Sequence, residues 1–201
     1  MKKIALGILA LNLTACSIAP LTTPNGGTTI GKGEVDISTN LSPAPSATVT
    51  FGYKDNTDIG MTVESQIFNT YGFWVKHSFL NQKQGAAAAF IAGAFKSTSS
   101  TGSRGFYLGP TLSYTFSDFE FFATGRYNKV YWDGLEILSE TEKDDVFFTV
   151  DDTEFDYWQA DIGFNYSVSD TVKLTLGTSC LYFENDKSCP PIIGASFNVS
   201  K

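Results

Sequence analysis

Apolar and polar residues alternate one by one through most of this chain, and this pattern constrains the fold more than any other feature. The clearest run has hydroxyl side chains between apolar ones: Phe106, Leu108, Leu112, Tyr114 and Phe116 against Thr111, Ser113 and Thr115. Because successive side chains of a strand point to opposite faces, this period of two predicts strands that are apolar on one face only. The aromatic share of 14% also suits strands better than helices.

About ten such segments follow one another, and most are nine to fourteen residues long, the length that a tilted strand needs to cross a bilayer. The Ala-rich segment 85–95 is the least regular and is also compatible with a helix. We place the strands near 33–41, 46–54, 57–66, 70–80, 86–96, 104–117, 118–138, 146–168, 170–183 and 189–199.

Short and long connections alternate along the chain. Lys54 to Thr57, Ser117-Asp118 and Ser169-Asp170 are tight, whereas 97–104 and 132–155 are long. In an up-and-down meander, alternate connections lie at opposite ends, so the tight turns share one end with both termini. The prediction is an all-β, antiparallel up-and-down β-barrel of about ten strands (eight to twelve) over 33–201. This part of the chain resembles the small outer-membrane β-barrel proteins of Gram-negative bacteria.

The first sixteen residues have the organisation of an export signal. Lys2 and Lys3 precede a short apolar run, which ends at Leu13-Thr14-Ala15-Cys16. These four residues resemble the lipobox of bacterial lipoproteins, which implies cleavage before Cys16 and lipid on its thiol. An ordinary secretory signal is the alternative. We therefore predict a signal peptide over 1–15 and, over 16–32, a lipidated N-terminus with a flexible tether rich in Ser, Thr, Pro and Gly. Ser17, rather than Asp, after the cysteine favours outer-membrane residence.

The chain is acidic, with a net charge of −7, which becomes −9 when the two signal-peptide lysines leave. This charge argues against nucleic acid and against docking on anionic headgroups through basic patches. The expected partners are outer-membrane lipid and lipopolysaccharide. We expect no cofactor, because no glycine-rich phosphate loop is recognisable.

Cys180 and Cys189 remain as a pair once Cys16 is assigned to lipid. Beyond the inner membrane the surroundings are oxidising, so we predict a disulfide. A metal or redox pair is the alternative, although the spacing matches no zinc motif and no histidine is near.

Few residues are candidates for chemistry. His77 is the only histidine, and its neighbour Ser78 points to the opposite face of a strand, so a structural role is favoured over catalysis. The acidic segment before Phe155 is predicted to form a β-ribbon beyond the barrel rim with its tip at Glu140 to Asp145. Its carboxylates form a solvated surface or, alternatively, bind divalent ions: Glu140, Glu142, Asp144, Asp145, Asp151 and Asp152.

Three functional hypotheses follow from these observations. The first is a non-enzymatic outer-membrane lipoprotein whose barrel is structural, adhesive or weakly pore-forming. The second is a lipid-anchored periplasmic barrel that binds a ligand as lipocalins do, and the third is an envelope lipid hydrolase that uses His77. A membrane barrel is apolar outside and a soluble one is apolar inside, which alternation alone does not decide. The charged side chains expected on the lumen face are Glu34, Glu64, Lys76, Arg126, Asp161 and Lys173.

Overall fold

Antiparallel strands make up almost all of the regular structure in the computed structural model of this chain. The structure describes residue 22 and residues 26–65, 69–98, 102–133, 135–138, 146–150, 153–183 and 187–200. None of these residues belongs to a helix of the length and hydropathy that a membrane span requires. In chain order the strands are β1 (Val35–Ser42), β2 (Ser46–Lys54), β3 (Thr57–Ser65), β4 (Asn69–Asn81), β5 (Gly85–Ser97), β6 (Ser103–Phe116), β7 (Phe119–Trp132), β8 (Leu135–Leu138), β9 (Val146–Val150), β10 (Thr153–Ser167), β11 (Val172–Tyr182), β12 (Lys187–Ser188) and β13 (Pro191–Asn198).

Ten of these strands close into a barrel. Strands β1 to β7 pair in succession, β7 pairs with β10, β10 with β11, and β11 with β13. Because β13 also pairs with β1, the ladder has no free edge, and the short β12 only adds to β11. The predicted ten-stranded antiparallel barrel is therefore confirmed. The Ala-rich segment is strand β5, paired on both sides.

The two ends of the barrel differ in their connections. The turns after β2, β4, β6 and β10 lie at one end, together with the start of β1 and the end of β13, and we call this the short-turn end. The connection between β7 and β10 and the one between β11 and β13 lie at the opposite end, the loop end. The predicted separation of the tight turns from the long loops is thus observed. The N-terminal segment differs from the prediction, because Thr22 lies beside Ser46 at the loop end.

The connection from β7 to β10 contains a separate two-stranded ribbon. Leu135 pairs with Val150 and Glu136 with Thr149 across β8 and β9. The long segments 118–138 and 146–168, each predicted as one strand, are therefore divided into a barrel strand and a ribbon strand. The predicted tip, Glu140 to Asp145, and the pair Asp151 and Asp152 lie outside the described residues.

The outer surface of the barrel is apolar and its interior is largely polar. Large apolar side chains from all ten barrel strands are exposed on the outside; Met61 is 62% exposed and Ile162 60% exposed. Their sequence neighbours Thr62 and Asp161 are buried inside. The faces are those of a membrane barrel and the reverse of the lipocalin-like arrangement.

Outward tyrosine and tryptophan side chains form two bands, one near each end of the barrel. In outer-membrane barrels such girdles mark the two interfaces between lipid and water. The band near the short-turn end contains Tyr53, Tyr114 and Tyr166, and the band near the loop end contains Tyr71, Tyr131, Trp158 and Tyr182.

Polar pairs across neighbouring strands line the inside of the wall. Thr48 and Thr62 are joined by a hydroxyl hydrogen bond of 2.9 Å, and Thr111 and Thr124 by one of 2.8 Å. Such cross-strand pairs fix the register of the sheet, because a shift by one residue would turn these hydroxyls towards the outside.

Candidate functional site

The barrel lumen holds most of the buried polar and charged side chains and is the candidate site. Its loop half is filled by an apolar layer, and Ala44, in the connection between β1 and β2, belongs to the same cluster. Gly60 makes room for the layer, since any Cβ there would overlap the indole ring of Trp74. The layer consists of Trp74, Ile91, Phe95, Tyr107, Val130, Tyr157 and Leu181.

A row of hydrogen-bonded side chains around Arg126 lies on the inner face of the barrel wall. The guanidinium is completely buried, and its Nη2 donates to Gln159 Oε1 at 2.6 Å. Gln159 Nε2 in turn donates to Asp161 Oδ1 at 2.9 Å and to Ser179 Oγ at 3.0 Å. The Arg126 guanidinium also lies 4.5 Å from the centre of the Tyr107 ring, a cation–π contact. These hydrogen bonds connect three neighbouring strands, β7, β10 and β11, on the inner face of the barrel.

A buried charge pair lies on β3 and β4. Lys76 Nζ is 3.2 Å from Asp58 Oδ2, and the side chains of these two residues are 5% and 0% exposed. The predicted lumen residues Glu64, Lys76, Arg126 and Asp161 are thus all buried inside the barrel. Burying a charge is costly unless it is paired and hydrogen-bonded, which explains why these groups lie in networks.

A polar cavity of about 310 Å³ lies in the lumen and is lined mainly by residues near the short-turn end. Of the apolar layer only Trp74 lines it, so the cavity ends against that layer. Glu34 and Lys173 line the cavity too, as their predicted place on the lumen face requires. Among the residues that the structure describes, no group of three or more His, Cys, Asp or Glu side chains is arranged to hold a metal ion.

The segment before β1 forms part of the cavity wall. Thr22, Thr28, Thr29 and Ile30 all line the cavity, and Ile30 N donates to Asp58 Oδ1 at 3.3 Å. The composition of residues 16–32 predicts a flexible tether and gives no sign of these contacts. They are made through backbone groups and hydroxyls, which leave no apolar period in the sequence for a pattern to reveal.

The predicted disulfide between Cys180 and Cys189 is present. It joins the end of β11 to the residues before β13, at the loop end, and the two Cα atoms are 4.0 Å apart. Cys16, the predicted lipidation site, lies outside the described residues.

His77 lies on the outer face of β4, and Ser78 lies on the inner face. The imidazole Nδ1 is 3.0 Å from Thr57 Oγ1 on the neighbouring strand. Ser78 is only 2% exposed, and its hydroxyl bonds to backbone carbonyls, among them that of Ala88 at 3.1 Å. The two side chains are therefore on opposite sides of the wall, as predicted, and do not form a Ser-His pair.

Comparisons with known proteins place few limits on this chain. No protein-family model matches it, and no curated protein matches it either. Among solved structures, it is similar to the N-terminal β-barrel domain of Pseudomonas aeruginosa OprF, with 10% identity and a TM-score of 0.37 over 84% of this chain and 98% of that one. A similarity at this score supports no conclusion on function.

Proposed function

We propose that this chain is a lipid-anchored outer-membrane protein whose ten-stranded barrel spans the bilayer and has a structural or adhesive, non-enzymatic role. The apolar outer surface with its two aromatic bands is the observation that carries the proposal. Monomeric soluble proteins rarely expose apolar patches larger than several hundred Å². A surface to which all ten strands contribute large apolar side chains is suited to lipid instead.

The contents of the lumen favour the structural role over the weak pore. The apolar layer, Arg126 with its hydrogen-bond partners, and the segment before β1 all lie in the interior. Small barrels are commonly filled by side chains in this way and gain stability rather than a channel. In this reading the barrel serves as a membrane anchor, and the loop end carries the parts that meet other molecules.

The lengths of the connections support one orientation of the barrel in the membrane. Outer-membrane barrels have short turns on the periplasmic side and longer loops outside. The loop end would then face the cell exterior, with the acidic ribbon in the divalent-rich surroundings of lipopolysaccharide. Lipid on Cys16 is a second attachment, independent of the strands.

The decisive experiment removes the lipid and leaves the barrel intact. Residues 1–16 are replaced by a signal peptide that is cleaved without lipidation, and the cell envelope is then fractionated and washed with urea. The proposal expects residues 17–201 to remain with outer membranes and to show the heat-dependent gel mobility of a folded barrel. A matched sample of the unaltered chain reports the normal distribution.

Release of the unlipidated form into the soluble periplasm, still folded, would contradict a bilayer-spanning barrel. The lipid-anchored, ligand-binding barrel would then be the better hypothesis. Recovery of the unaltered chain in inner-membrane fractions would contradict the outer-membrane location.

A further inference from the structure

The segment that precedes β1 is held inside the barrel by groups from several strands. Gly27 N donates to Ser113 Oγ at 2.9 Å, and Gly27 O accepts from Ser78 Oγ at 3.0 Å. These two serines are on β6 and β4 and are 7% and 2% exposed. The backbone of Gly27 is therefore bonded through both its donor and its acceptor to buried side chains of the wall.

The next residue is held by charged groups. Thr28 O accepts from Lys76 Nζ at 2.6 Å, and Thr28 Oγ1 donates to Glu120 Oε1 at 2.8 Å. Glu120, on β7, is 7% exposed, and Lys76, on β4, is 4% exposed. Hydrogen bonds to charged partners are stronger than neutral ones, so this residue is the firmest attachment of the segment.

At two consecutive positions of the segment, Gly26 and Gly27, the surroundings accommodate glycine but leave no room for a Cβ atom. Gly26 has a φ of +90°, which favours glycine, and a Cβ there would lie 2.5 Å from Glu120 Oε1. A Cβ on Gly27 would lie 2.7 Å from the backbone oxygen of Ala87, which belongs to the paired strand β5. A side chain at Gly27 would therefore require the segment or the barrel wall to move.

The segment runs along the inside of the barrel from the loop end towards the short-turn end. Thr22 N donates to Glu64 Oε2 at 2.9 Å, and Thr22 Oγ1 donates to Ser46 Oγ at 3.0 Å. Ser46 is the first residue of β2, at the loop end, whereas Ile30 bonds to Asp58 near the start of β3, at the short-turn end. Together, Thr22 and residues 26–30 mark a path along most of the height of the β2–β3 wall.

We infer that the lumen is a binding site for a peptide with a Gly-Gly pair, and that Thr22 and residues 26–30 of the same chain are its occupant. The segment is a built-in plug, and its residues Thr22, Thr28, Thr29 and Ile30 form one wall of the 310 Å³ cavity. The hydrogen bonds of Thr22, Gly27 and Thr28 are made to inward-facing side chains of the strands, and Thr29 bonds to Asn81 and to the backbone oxygen of Asp55 at the short-turn end. The inference therefore goes beyond the proposed membrane function and requires neither a lipid on Cys16 nor a particular membrane.

Cysteine cross-linking in the full chain tests where the segment lies. Thr22→Cys is combined with Ser46→Cys, because the two hydroxyl oxygens are already in contact. The matched control combines Thr22→Cys with Ala47→Cys, since Ala47 is the next residue along the strand and faces outwards. Mass spectrometry of unreduced peptides should show a link between positions 22 and 46 and none between 22 and 47. No link to 46, or equal linking to both, would overturn the inference.

A glycine substitution in the same cysteine pair tests the fit of the segment. Gly27→Val should lower the yield of the 22–46 link by roughly tenfold or more, because overpacking against a fixed backbone expels the segment. The control is Gly125→Val, where a new Cβ meets nothing within 4 Å. Both are compared on the folded fraction, isolated by its gel mobility. An unchanged link in Gly27→Val would show that the lumen does not select glycine there and would overturn the inference.

Discussion

The buried pair of Lys76 and Asp58 allows a quantitative test of how the lumen is stabilised. Lys76→Met removes the charge near Asp58 Oδ2 and the donor to Thr28 O, and it leaves a carboxylate with no exposed surface. Removing one partner of a buried pair costs about 3–5 kcal/mol. Asp58→Asn keeps the shape and an oxygen for Ile30 N, but it leaves the Lys76 ammonium without its counter-charge.

The double variant is the informative one. With Asp58→Asn and Lys76→Met together no buried charge is left uncompensated, and the main loss is the hydrogen bond to Thr28 O, about 1–3 kcal/mol. We therefore expect the double variant to be more stable than Lys76→Met alone. The coupling energy of the cycle should be at least about 2 kcal/mol, well above the deviation expected of independent sites.

The assay is urea unfolding of the barrel in lipid vesicles, followed by tryptophan fluorescence. The chain has three tryptophans, and Trp74 is buried next to the pair, so the signal reports on this region. If the losses of the two single variants simply added in the double variant, the two side chains would not be coupled. The account of the lumen as a set of mutually compensated charges would then be refuted.

Three further predictions concern the disulfide, the lipid face and the loop end. Mass spectrometry of the exported protein without reduction should show Cys180 linked to Cys189, and free thiols at both positions would contradict the pairing. Replacing both cysteines with Ser should lower the free energy of unfolding by about 2.5 kcal/mol, since the two residues are separated by 9 positions. Met61 lies on the lipid face, so Met61→Arg should lower the free energy of unfolding in vesicles by about 2–4 kcal/mol. Met61→Leu should change it by less than about 1.5 kcal/mol. Equal effects of the two substitutions would argue against lipid contact. Added protease should cut intact cells near Glu140 to Asp145 and leave the Lys54 to Thr57 turn whole, and cleavage only after the outer membrane is opened would mean that the loop end faces inwards.

Much of the barrel could be predicted from the sequence because the alternation of apolar and polar residues is a local pattern. A period of two reports the two faces of each strand directly, and turn residues such as Ser117-Asp118 mark where one strand ends and the next begins. The charged residues assigned to the lumen, Arg126 and Asp161 among them, lie inside for the same reason. Alternation does not tell the two faces apart, however, and only the closed barrel shows which face is outside.

What could not be predicted depends on contacts between distant residues. The Gly-Gly pair at 26–27 has the composition of a linker, and its fit to the lumen is determined by Ala87 and Glu120, far along the chain. The break between β7 and β8 is also invisible to alternation, because both pieces are β-prone; in the structure, Asp133 N bonds to Gly102 O where the barrel strand ends.

The closed ladder around Thr22 and residues 26–30 also limits the order in which the barrel can be assembled. The last seam joins Asp36 to Asn198, partners from the two ends of the chain, and such distant contacts form late in folding. The segment continues directly into β1, one side of this seam. It must therefore be laid along the β2–β3 wall before β13 arrives, or be drawn afterwards through a ring of ten paired strands. A bulky group at the N-terminus could not be drawn through the closed ring. In that case the strands would have to assemble around the N-terminal segment, which would be in place before the lumen is complete.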